Sequence, residues 1–489
     1  MMEAKEACGV FGVYAPGRPV AHLTFDGLYA LQHRGQESAG MAVSDGEAIT
    51  VMKDMGLVAA VFDERRLSGL RGHLAIGHTR YSTAGSSNWE HAQPVFRGVG
   101  RAGFGLAHNG NLTNTEALGA TAGMLPGLVS SDSDLIAQLV AQAHPPDDPL
   151  RPARPEDLEE ALESVLPTLE GAFSLVLLDA ERVIGVRDRN GFRPMCLGRL
   201  EATADCPQGW VLASESPALD VIGATFVREI EPGEMVVLDA GGVRSRRPFG
   251  DAAIDPKLCI FEFVYFARPD TRLYGNEVHV ARRRMGRLLA TQQPVDADMV
   301  MGVPDSGVPA AEGYAFESGI PYGQGLVKNR YIGRTFIAPT QAERSNGVRR
   351  KLNPLRENIA GKRLVVVDDS IVRGTTNQGM VRLLREAGAT EVHLRISSPP
   401  FRWPCFYGID TPDRGELLAA TMTLDEMAEF LNVDSLDYLT LDHLLEAINA
   451  PGAGFCEACM TGDYPVAVPA SVDGRRRLAV QATASGTPA

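Results

Sequence analysis

The chain has 489 residues, of which 44% are hydrophobic and 22% are charged, with a formal net charge of -14. This length exceeds that of one ordinary domain, and the composition is typical of a globular protein. The negative charge opposes nucleic-acid binding, and no apolar run approaches the roughly 18 residues of a membrane span. We therefore expect two or three domains, no nucleic-acid partner and no membrane segment.

Residues 1–7, MMEAKEA, carry no apolar segment behind their charges, so they do not resemble a secretory signal. Seven cysteines are few for a disulfide framework in a chain of this length. These two features predict a cytoplasmic protein whose cysteines are catalytic, metal-binding or simply buried.

Residues 8–243 contain many short β-like runs separated by glycine and asparagine, such as HLAIGHTRYST, FGLAHNGNL and AFSLVLLDAERVIGVRD. Two helices are predicted among them, in SDSDLIAQLVAQA and PEDLEEALESVLPTL, because polar start signals precede spaced apolar residues. The pattern predicts an α+β domain with stacked sheets. The polar, aperiodic segment that begins at residue 244 marks its boundary.

From residue 244 to 470 the apolar runs end in acidic or small residues, as in ADMVMGVPDSG and KRLVVVDDS. The second run leads into a predicted helix, NQGMVRLLREAGA, which Gly388 is placed to end, and then into a strand, EVHLRISS. Strand, loop, helix and strand predict an α/β domain with a parallel sheet. Residues 471–489 are small and polar, so we expect a flexible tail.

The strongest local signal is VVVDDSIVRGTTNQG, residues 365–379. Asp368 and Asp369 follow a buried strand, and the next turn opens a helix whose N–H groups would converge on an anion. A capped helix start with two solvated aspartates would explain the acidic pair alone equally well. The whole string resembles the signature of the type I phosphoribosyltransferases, which bind 5-phosphoribosyl 1-diphosphate. The resemblance implies that the acidic pair contacts the ribose and the loop contacts the 5-phosphate.

A second loop, Pro304-Asp305-Ser306-Gly307, follows another predicted strand and suits the diphosphate, although alone it would be an ordinary turn. The basic, glycine-containing segment 328–355 is predicted to be a lid over the ligand. Mg²⁺ is expected at Ser306, Asp368 and Asp369. The residues implied to bind 5-phosphoribosyl 1-diphosphate are Asp305, Ser306, Gly307, Lys328, Asp368, Asp369, Ser370, Arg373, Gly374, Thr375 and Thr376.

Four segments of the first domain, QHRGQESAG, GHTRYSTAG, HNGNLTN and SSDSDLI, resemble those of the N-terminal nucleophile glutamine amidotransferases. In that family a cysteine at the mature amino terminus hydrolyses glutamine, and its own α-amine acts as the base. The resemblance implies an αββα sandwich in which Cys8 is the nucleophile. It also implies that residues 1–7 are a leader removed during maturation.

The same motifs imply the residues that handle glutamine. Arg80 would pair with its α-carboxylate and Asp132 with its α-ammonium, while Arg34 would support the glutamine-binding site. Asn109 and the N–H of Gly110 would form the oxyanion hole. Taken singly, each motif has a structural alternative: surface ion pairs for the arginines, a helix cap for Asp132 and a turn for Asn-Gly.

Together the two resemblances imply one enzyme of purine synthesis. Ammonia released at Cys8 would displace diphosphate from C1 of the ribose and give 5-phosphoribosylamine. A non-catalytic sensor of phosphoribosyl diphosphate and another glutamine amidotransferase are the alternatives. By analogy, purine nucleotides are expected to inhibit, and the chain is expected to form a homo-oligomer, a tetramer or a dimer.

Four further cysteines can hold a metal: Cys456 and Cys459 in FCEACM, Cys259 in KLCIFEF and Cys405 in WPCFYGID. Four thiolates suit zinc or an iron-sulfur cluster, and their spacing does not separate the two. In one branch of the family that combines both domains, cysteines in these contexts hold a [4Fe-4S] cluster. The resemblance therefore implies a structural cluster here.

Overall fold

The computed structural model describes residues 8–81, 89–99, 102–123, 131–145, 154, 156–329, 349, 351–411 and 413–468. The predicted leader, the predicted tail and most of the predicted lid lie outside these ranges. Within them, no helix is long and hydrophobic enough to cross a membrane.

The first domain is built on two antiparallel sheets. Its strands are β1 Gly9–Tyr14, β2 Ser38–Ser44, β3 Ile49–Met55, β4 Leu74–Arg80, β5 Val95–Arg97, β6 Phe104–Leu112, β7 Gly171–Leu178, β8 Val183–Arg187, β9 Cys196–Leu200, β10 Gly209–Ala213, β11 Thr225–Glu229, β12 Met235–Asp239 and β13 Gly242–Arg246. Among the described residues, one sheet has the order β11-β9-β10-β1-β4-β2-β3 and the other β13-β12-β8-β7-β6-β5.

Helices cover the outer faces of both sheets. They are α1 Val20–Ala30, α2 Val58–Val61, α3 Glu64–Gly69, α4 Thr115–Thr121, α5 Asp132–Ala143, α6 Asp157–Val165 and α7 Pro217–Asp220, with short 3-10 turns at Trp89–His91 and Leu166–Thr168. One apolar core fills the space between the sheets, and two more lie under the outer helices. This confirms the αββα sandwich predicted from the sequence.

Both helices predicted in this domain form. The side-chain oxygen of Ser131 accepts from the N–H of Asp134 at 3.2 Å and caps α5. The predicted boundary at residue 243, however, falls inside β13, which pairs with β12 as far as Arg246. The segment has no apolar period because ion pairs hold it: Arg244 and Arg246 both contact the buried carboxylate of Glu159.

The second domain is centred on a parallel sheet. Its strands are β14 Leu258–Cys259, β15 Arg272–Leu273, β16 Asn276–Glu277, β17 Met299–Gly302, β18 Leu326–Lys328, β19 Leu352–Pro354, β20 Arg363–Asp368, β21 Glu391–Ile396, β22 Ser435–Tyr438 and β23 Phe455–Cys456. The central order is β17-β20-β21-β22, and all of these pairs are parallel, as predicted.

The helices of this domain pack on both faces of the sheet. They are α8 Val278–Gln292, α9 Val308–Ser318, α10 Arg356–Ile359, α11 Thr375–Glu386, α12 Leu418–Thr421, α13 Leu424–Leu431, α14 Leu441–Ile448 and α15 Ala458–Thr461, with a π-helical turn at Glu262–Phe266 and 3-10 turns at Asp251–Ala253 and Arg414–Glu416. Side chains of β20 alternate between two cores: Val365 and Val367 face one, Leu364 and Val366 the other.

Candidate active sites

Cys8 lies immediately before β1, in the centre of the first sheet. Because β1 pairs antiparallel with β4, the start of β1 lies beside the end of β4, where Gly9 is opposite Thr79. The Cys8 sulfur is therefore 3.4 Å from both the backbone nitrogen and the backbone oxygen of Tyr81. The side chain is 7% exposed, so the thiol is close to the surface but largely removed from water.

Burial raises the pKa of the Cys8 thiol above its ordinary value, although a backbone hydrogen bond from Tyr81 and the charge of Arg80 act in the opposite direction. The carboxylates of Asp132 and Glu37 add to the increase. A thiol in this environment is protonated at neutral pH. It needs a base before it can attack a carbonyl carbon.

Two groups of opposite charge act on the Cys8 thiol. Arg80 ends β4 with a 6% exposed side chain, and Asp132 begins α5; both act electrostatically on the thiol. Burial alone would raise the pKa of Asp132, but His108 and the backbone N–H groups of Leu112 and Ser133 lower it overall. Asp132 is therefore an anion at neutral pH. An arginine and a carboxylate at one site match the two charged groups of an α-amino acid.

Asn109 and Gly110 lie in β6, the strand of the second sheet that carries the HNG motif. Asn109 is fully buried, and its side-chain nitrogen and oxygen have no hydrogen-bond partner among the described residues. Gly110 has a φ of 151°, and a Cβ there would lie 2.0 Å from the carbonyl oxygen of Ala172, so only glycine fits. The structure thus provides a buried amide that is available to bind an oxyanion.

Arg34 contacts the backbone of Cys8. Its Nε donates to the carbonyl oxygen of Cys8 at 3.1 Å, and its terminal nitrogens donate to the buried carboxylates of Glu215 and Glu262. The side chain is 1% exposed. This geometry makes Arg34 a support for the backbone of Cys8.

The two predicted phosphate loops meet at the carboxyl ends of β17 and β20. The N–H of Val303 donates to the carbonyl oxygen of Val367 at 2.9 Å. A Cβ on Gly307 would lie 2.4 Å from the same oxygen, so the close approach of the loops requires glycine. Parallel strands place their carboxyl ends at one edge of the sheet, where ligands bind in such folds.

The acidic pair is held within a polar network at this edge. Asn377 donates to one oxygen of Asp368 at 2.7 Å, and the N–H of Asp369 donates to the other at 3.0 Å. Ser306 from the first loop donates to Asp369, and Ser370 donates to its other oxygen at 2.6 Å. Hydroxyl and carboxylate oxygens of both loops are thus gathered at one point, and these are the ligands that Mg²⁺ prefers.

The remaining predicted ligands belong to the two loops or contact them. Lys328 donates to Asp305 at 2.6 Å, and Arg373 pairs with Glu416 at 2.6 Å. Gly374 has a φ of 73° and precedes α11, whose first residues are Thr375 and Thr376. The first turn of α11 therefore presents backbone N–H groups and hydroxyls to the loop, as an anion site requires.

The structure also brings together the four cysteines that the sequence predicts to hold a metal or a cluster. Cys259 and Cys456 are opposite each other in the parallel pair β14 and β23, and the charges of Cys405 and Cys259 influence both Cys456 and Cys459. All four are buried and free of disulfide bonds. Burial raises the pKa of Cys259 to about 12, while nearby Arg193 partly offsets it.

Among the described residues, no three or more His, Cys, Asp or Glu side chains are arranged to hold a single metal ion. Zinc needs all four sulfurs at bonding distance from one ion. A cluster binds each sulfur to a different iron and so keeps the sulfurs further apart. By their chemistry, the four thiols present suit either group.

Sequence reasoning missed several residues that hold these sites. Asn377 donates a hydrogen bond to Asp368, His108 lowers the pKa of Asp132, and Glu262 forms an ion pair with Arg34. Glu262 had a detectable signal, because it is the one charged residue in the apolar run CIFEFVYFA. The partners of Asn377 and His108 depend on tertiary packing.

Two family models match the chain: a glutamine amidotransferase domain over residues 78–221 and a phosphoribosyl transferase domain over residues 278–397. The chain is 53% identical to amidophosphoribosyltransferase of Mycobacterium tuberculosis strain H37Rv, covering 95% of this chain and 87% of that protein. It is 43% identical to amidophosphoribosyltransferase of Bacillus subtilis, covering 95% of each.

Solved structures agree with these matches. Glutamine phosphoribosylpyrophosphate amidotransferase from B. subtilis, complexed with ADP and GMP, superimposes with a TM-score of 0.85 at 42% identity, covering 95% of this chain and 99% of that one. A structure described as the allosteric regulatory enzyme of purine biosynthesis gives a TM-score of 0.86 at 42% identity, with 95% and 97% covered.

Proposed function

The chain belongs to the amidophosphoribosyltransferase family, and we propose how its two sites divide the reaction between them. Glutamine is hydrolysed at Cys8, and the ammonia released there displaces diphosphate from C1 of 5-phosphoribosyl 1-diphosphate at the second site. The products are glutamate, diphosphate and 5-phosphoribosylamine. The observation that carries this proposal is that Arg80 at the end of β4 and Asp132 at the start of α5, of opposite charge, both act electrostatically on the buried thiol of Cys8.

At the first site, Arg80 binds the α-carboxylate of glutamine and Asp132 its α-ammonium. The α-amine of Cys8, freed when residues 1–7 are removed, takes the thiol proton. The sulfur then attacks the side-chain carbonyl carbon, and Asn109 and the N–H of Gly110 hold the oxyanion. The α-ammonium of Cys8 then returns its proton to the amide nitrogen as the C–N bond breaks, so that ammonia leaves. Water hydrolyses the remaining thioester and releases glutamate. The raised pKa of the Cys8 thiol supports the need for such a base.

At the second site, the loop of Ser370, Arg373, Gly374, Thr375 and Thr376 binds the 5-phosphate, and Asp368 and Asp369 bind the ribose hydroxyls. Asp305, Ser306, Gly307 and Lys328 bind the diphosphate that leaves. Mg²⁺ would be held by Ser306, Asp368 and Asp369 and would neutralise charge on the diphosphate. The network that joins Ser306 to Asp369 supports this assignment.

We test this division of roles with Cys8→Ala. The variant should lose glutamine-dependent release of diphosphate from 5-phosphoribosyl 1-diphosphate and keep the ammonia-dependent reaction, because only the first site needs the thiol. The matched control is Cys196→Ala, a buried cysteine whose sulfur contacts the carbonyl oxygen of Ala213. Glutamine-dependent turnover that survives in Cys8→Ala would exclude the nucleophile assignment.

We further propose that Cys259, Cys405, Cys456 and Cys459 hold a structural [4Fe-4S] cluster. Their shared burial, with Arg193 near Cys259 and Cys405, supports a compact group of thiolates with a cation beside it. The purified protein should be brown, with broad visible absorption that is lost in Cys456→Ser and kept in Cys196→Ser. A colourless wild-type protein that contains zinc would contradict this proposal.

Three further properties follow from the family. We propose that the chain works in the cytoplasm, assembles into a tetramer or a dimer, and is inhibited by purine nucleotides. The B. subtilis relative was solved with ADP and GMP, which supports nucleotide regulation. Mass measured by light scattering in solution tests the assembly, and the rate of diphosphate release with added ADP and GMP tests the inhibition.

A further inference from the structure

Glu262 is a charged residue inside the core of the second domain. It begins the π-helical turn Glu262–Phe266, is fully buried, and lies between Phe261 and Phe263, which are core residues of that domain. A buried carboxylate is costly unless cations or hydrogen-bond donors compensate it. The groups that compensate the charge of Glu262 therefore indicate what this residue does.

Both ionic partners of Glu262 come from the first domain. Arg34 donates to its two oxygens at 2.8 and 3.0 Å, in the bidentate geometry that favours an arginine and a carboxylate. Arg193 approaches one of the same oxygens at 3.3 Å. Arg34 and Arg193 are 1% and 0% exposed, so water does not screen these contacts. Glu262 thus neutralises buried positive charge across the domain boundary.

Arg34 connects Glu262 to the backbone of Cys8. Its Nε donates to the carbonyl oxygen of Cys8 at 3.1 Å, and Glu215 contacts the same guanidinium. A cysteine at a mature amino terminus has no preceding residue to orient it. Its carbonyl and the strand pairing that begins at Gly9 must fix the direction of its thiol and amine.

The turn that carries Glu262 is itself anchored in the second domain. Arg282 of α8 donates to the carbonyl oxygens of Phe263 and Ala267 at 2.8 and 2.9 Å. The same guanidinium lies within electrostatic range of Asp369 at the second site. The position of Glu262 is therefore set by elements of the phosphoribosyltransferase domain.

We propose that Glu262 is a positioning residue for glutamine hydrolysis, which holds Cys8 through Arg34, so that the second domain completes the first active site. This inference rests on the proposed role of Cys8 as the nucleophile. It assigns Glu262 no contact with glutamine or with 5-phosphoribosyl 1-diphosphate.

The test is Glu262→Gln in the full-length chain. Loss of the charge lets Arg34 turn away from Cys8, and a small displacement of a reacting group costs up to about 10²-fold in rate. The kcat for glutamine hydrolysis should fall by at least about tenfold, with the KM for glutamine within about twofold, because Arg80 and Asp132 remain. Ammonia-dependent diphosphate release should stay within about twofold.

The matched control is Glu159→Gln. Glu159 is another fully buried carboxylate, paired with Arg182, Arg244 and Arg246, but it lies in the first domain away from Cys8 and its partners. Its removal should lower the melting temperature and leave the kcat for glutamine hydrolysis within about twofold. Equal losses of kcat in the two variants would indicate a general packing effect and overturn the proposal.

A double variant tests the route through Arg34. If Glu262 acts through that side chain, Arg34→Met with Glu262→Gln should be no slower than Arg34→Met alone, whereas independent effects would multiply. Glu262→Asp, which keeps the charge but shortens the reach, carries the test if Glu262→Gln does not fold. Wild-type kcat in Glu262→Asp would then overturn the proposal. Absence of glutamine hydrolysis in the wild-type chain would instead count against the proposed function.

Discussion

At the scale of single residues, a functional site can be recognised by a buried polar side chain that makes no hydrogen bond within the protein. Asn109 is the clearest case, because an amide with no partner among the described residues costs about 1–3 kcal/mol when it is buried. Such a cost is tolerated where a transient ligand supplies the missing hydrogen bond. In the proposed mechanism, the oxyanion formed at Cys8 is this ligand.

Replacing Asn109 should therefore impair glutamine hydrolysis specifically. In Asn109→Ala the kcat for glutamine should fall by about 10²–10³-fold, the cost of one oxyanion-hole donor, while the KM changes little. Steady-state glutaminase assays measure both values. Asn114→Ala is the control, because Asn114 precedes α4 and donates to Thr168 instead. A KM effect without a kcat effect would contradict the assignment to the oxyanion hole.

At the scale of elements, the second site is formed where the parallel strands β17 and β20 end and the helices that follow them begin. The turn into α11 places Gly374 at a φ of 73°, where a Cβ would lie 2.7 Å from Cδ2 of Leu418. Gly361 has nearly the same φ, 76°, but nothing lies within 4 Å of a Cβ built there. Replacing each glycine by alanine therefore separates two effects. Both variants strain a left-handed backbone, but only the variant at Gly374 also introduces a steric clash beside the phosphate loop.

Gly361→Ala should lower the melting temperature by a few degrees, because a left-handed conformation costs an L-residue about 1–2 kcal/mol. Gly374→Ala should be destabilised by the same backbone strain, and the clash of the new Cβ with Leu418 should also displace the predicted phosphate loop. Its KM for 5-phosphoribosyl 1-diphosphate should rise about tenfold or more, equivalent to one charged hydrogen bond. Thermal unfolding and ammonia-dependent kinetics test this. An equal KM in both variants would exclude Gly374 from the phosphate site.

At the scale of the whole molecule, the two domains share their buried polar contacts. Arg34 and Arg193 of the first domain meet Glu262 of the second, and Asn111 donates to the carbonyl oxygen of Phe406 at 3.0 Å. Gly408 packs against Gly110, where an added Cβ would lie 3.1 Å from the Gly110 backbone. The loop that follows Cys405 therefore packs against β6, the strand that carries Asn109 and Gly110.

Maturation is also a property of the whole chain. If residues 1–7 are removed, the intact mass of the active protein should be short by these residues and its α-amine should belong to Cys8. A chain that keeps Ala7 joined to Cys8 has an amide where the base is needed, so it should lack glutaminase activity. Mass spectrometry of the sample, with the ammonia-dependent reaction as the control for folding, tests this. Full glutaminase activity in a chain of unprocessed mass would contradict the proposed base.

The sequence by itself determined which segments form the main strands and helices, and its resemblance to known families predicted the chemistry of each motif. Strand and helix periods predicted the two stacked sheets and the parallel sheet, since those patterns are local. Cys8, Arg80, Asn109 and Asp132 could be named because their motifs are short and contiguous.

Only the tertiary structure decided how these pieces are held. The boundary predicted at residue 243 falls within β13, which is stabilised by ion pairs to Glu159, 85 residues before Arg244. Such distant pairs leave no period in the sequence. Glu262 and Arg193 likewise form a buried ion pair between segments that are far apart in sequence. A buried charge is defined by its partners, and those partners are distant in sequence.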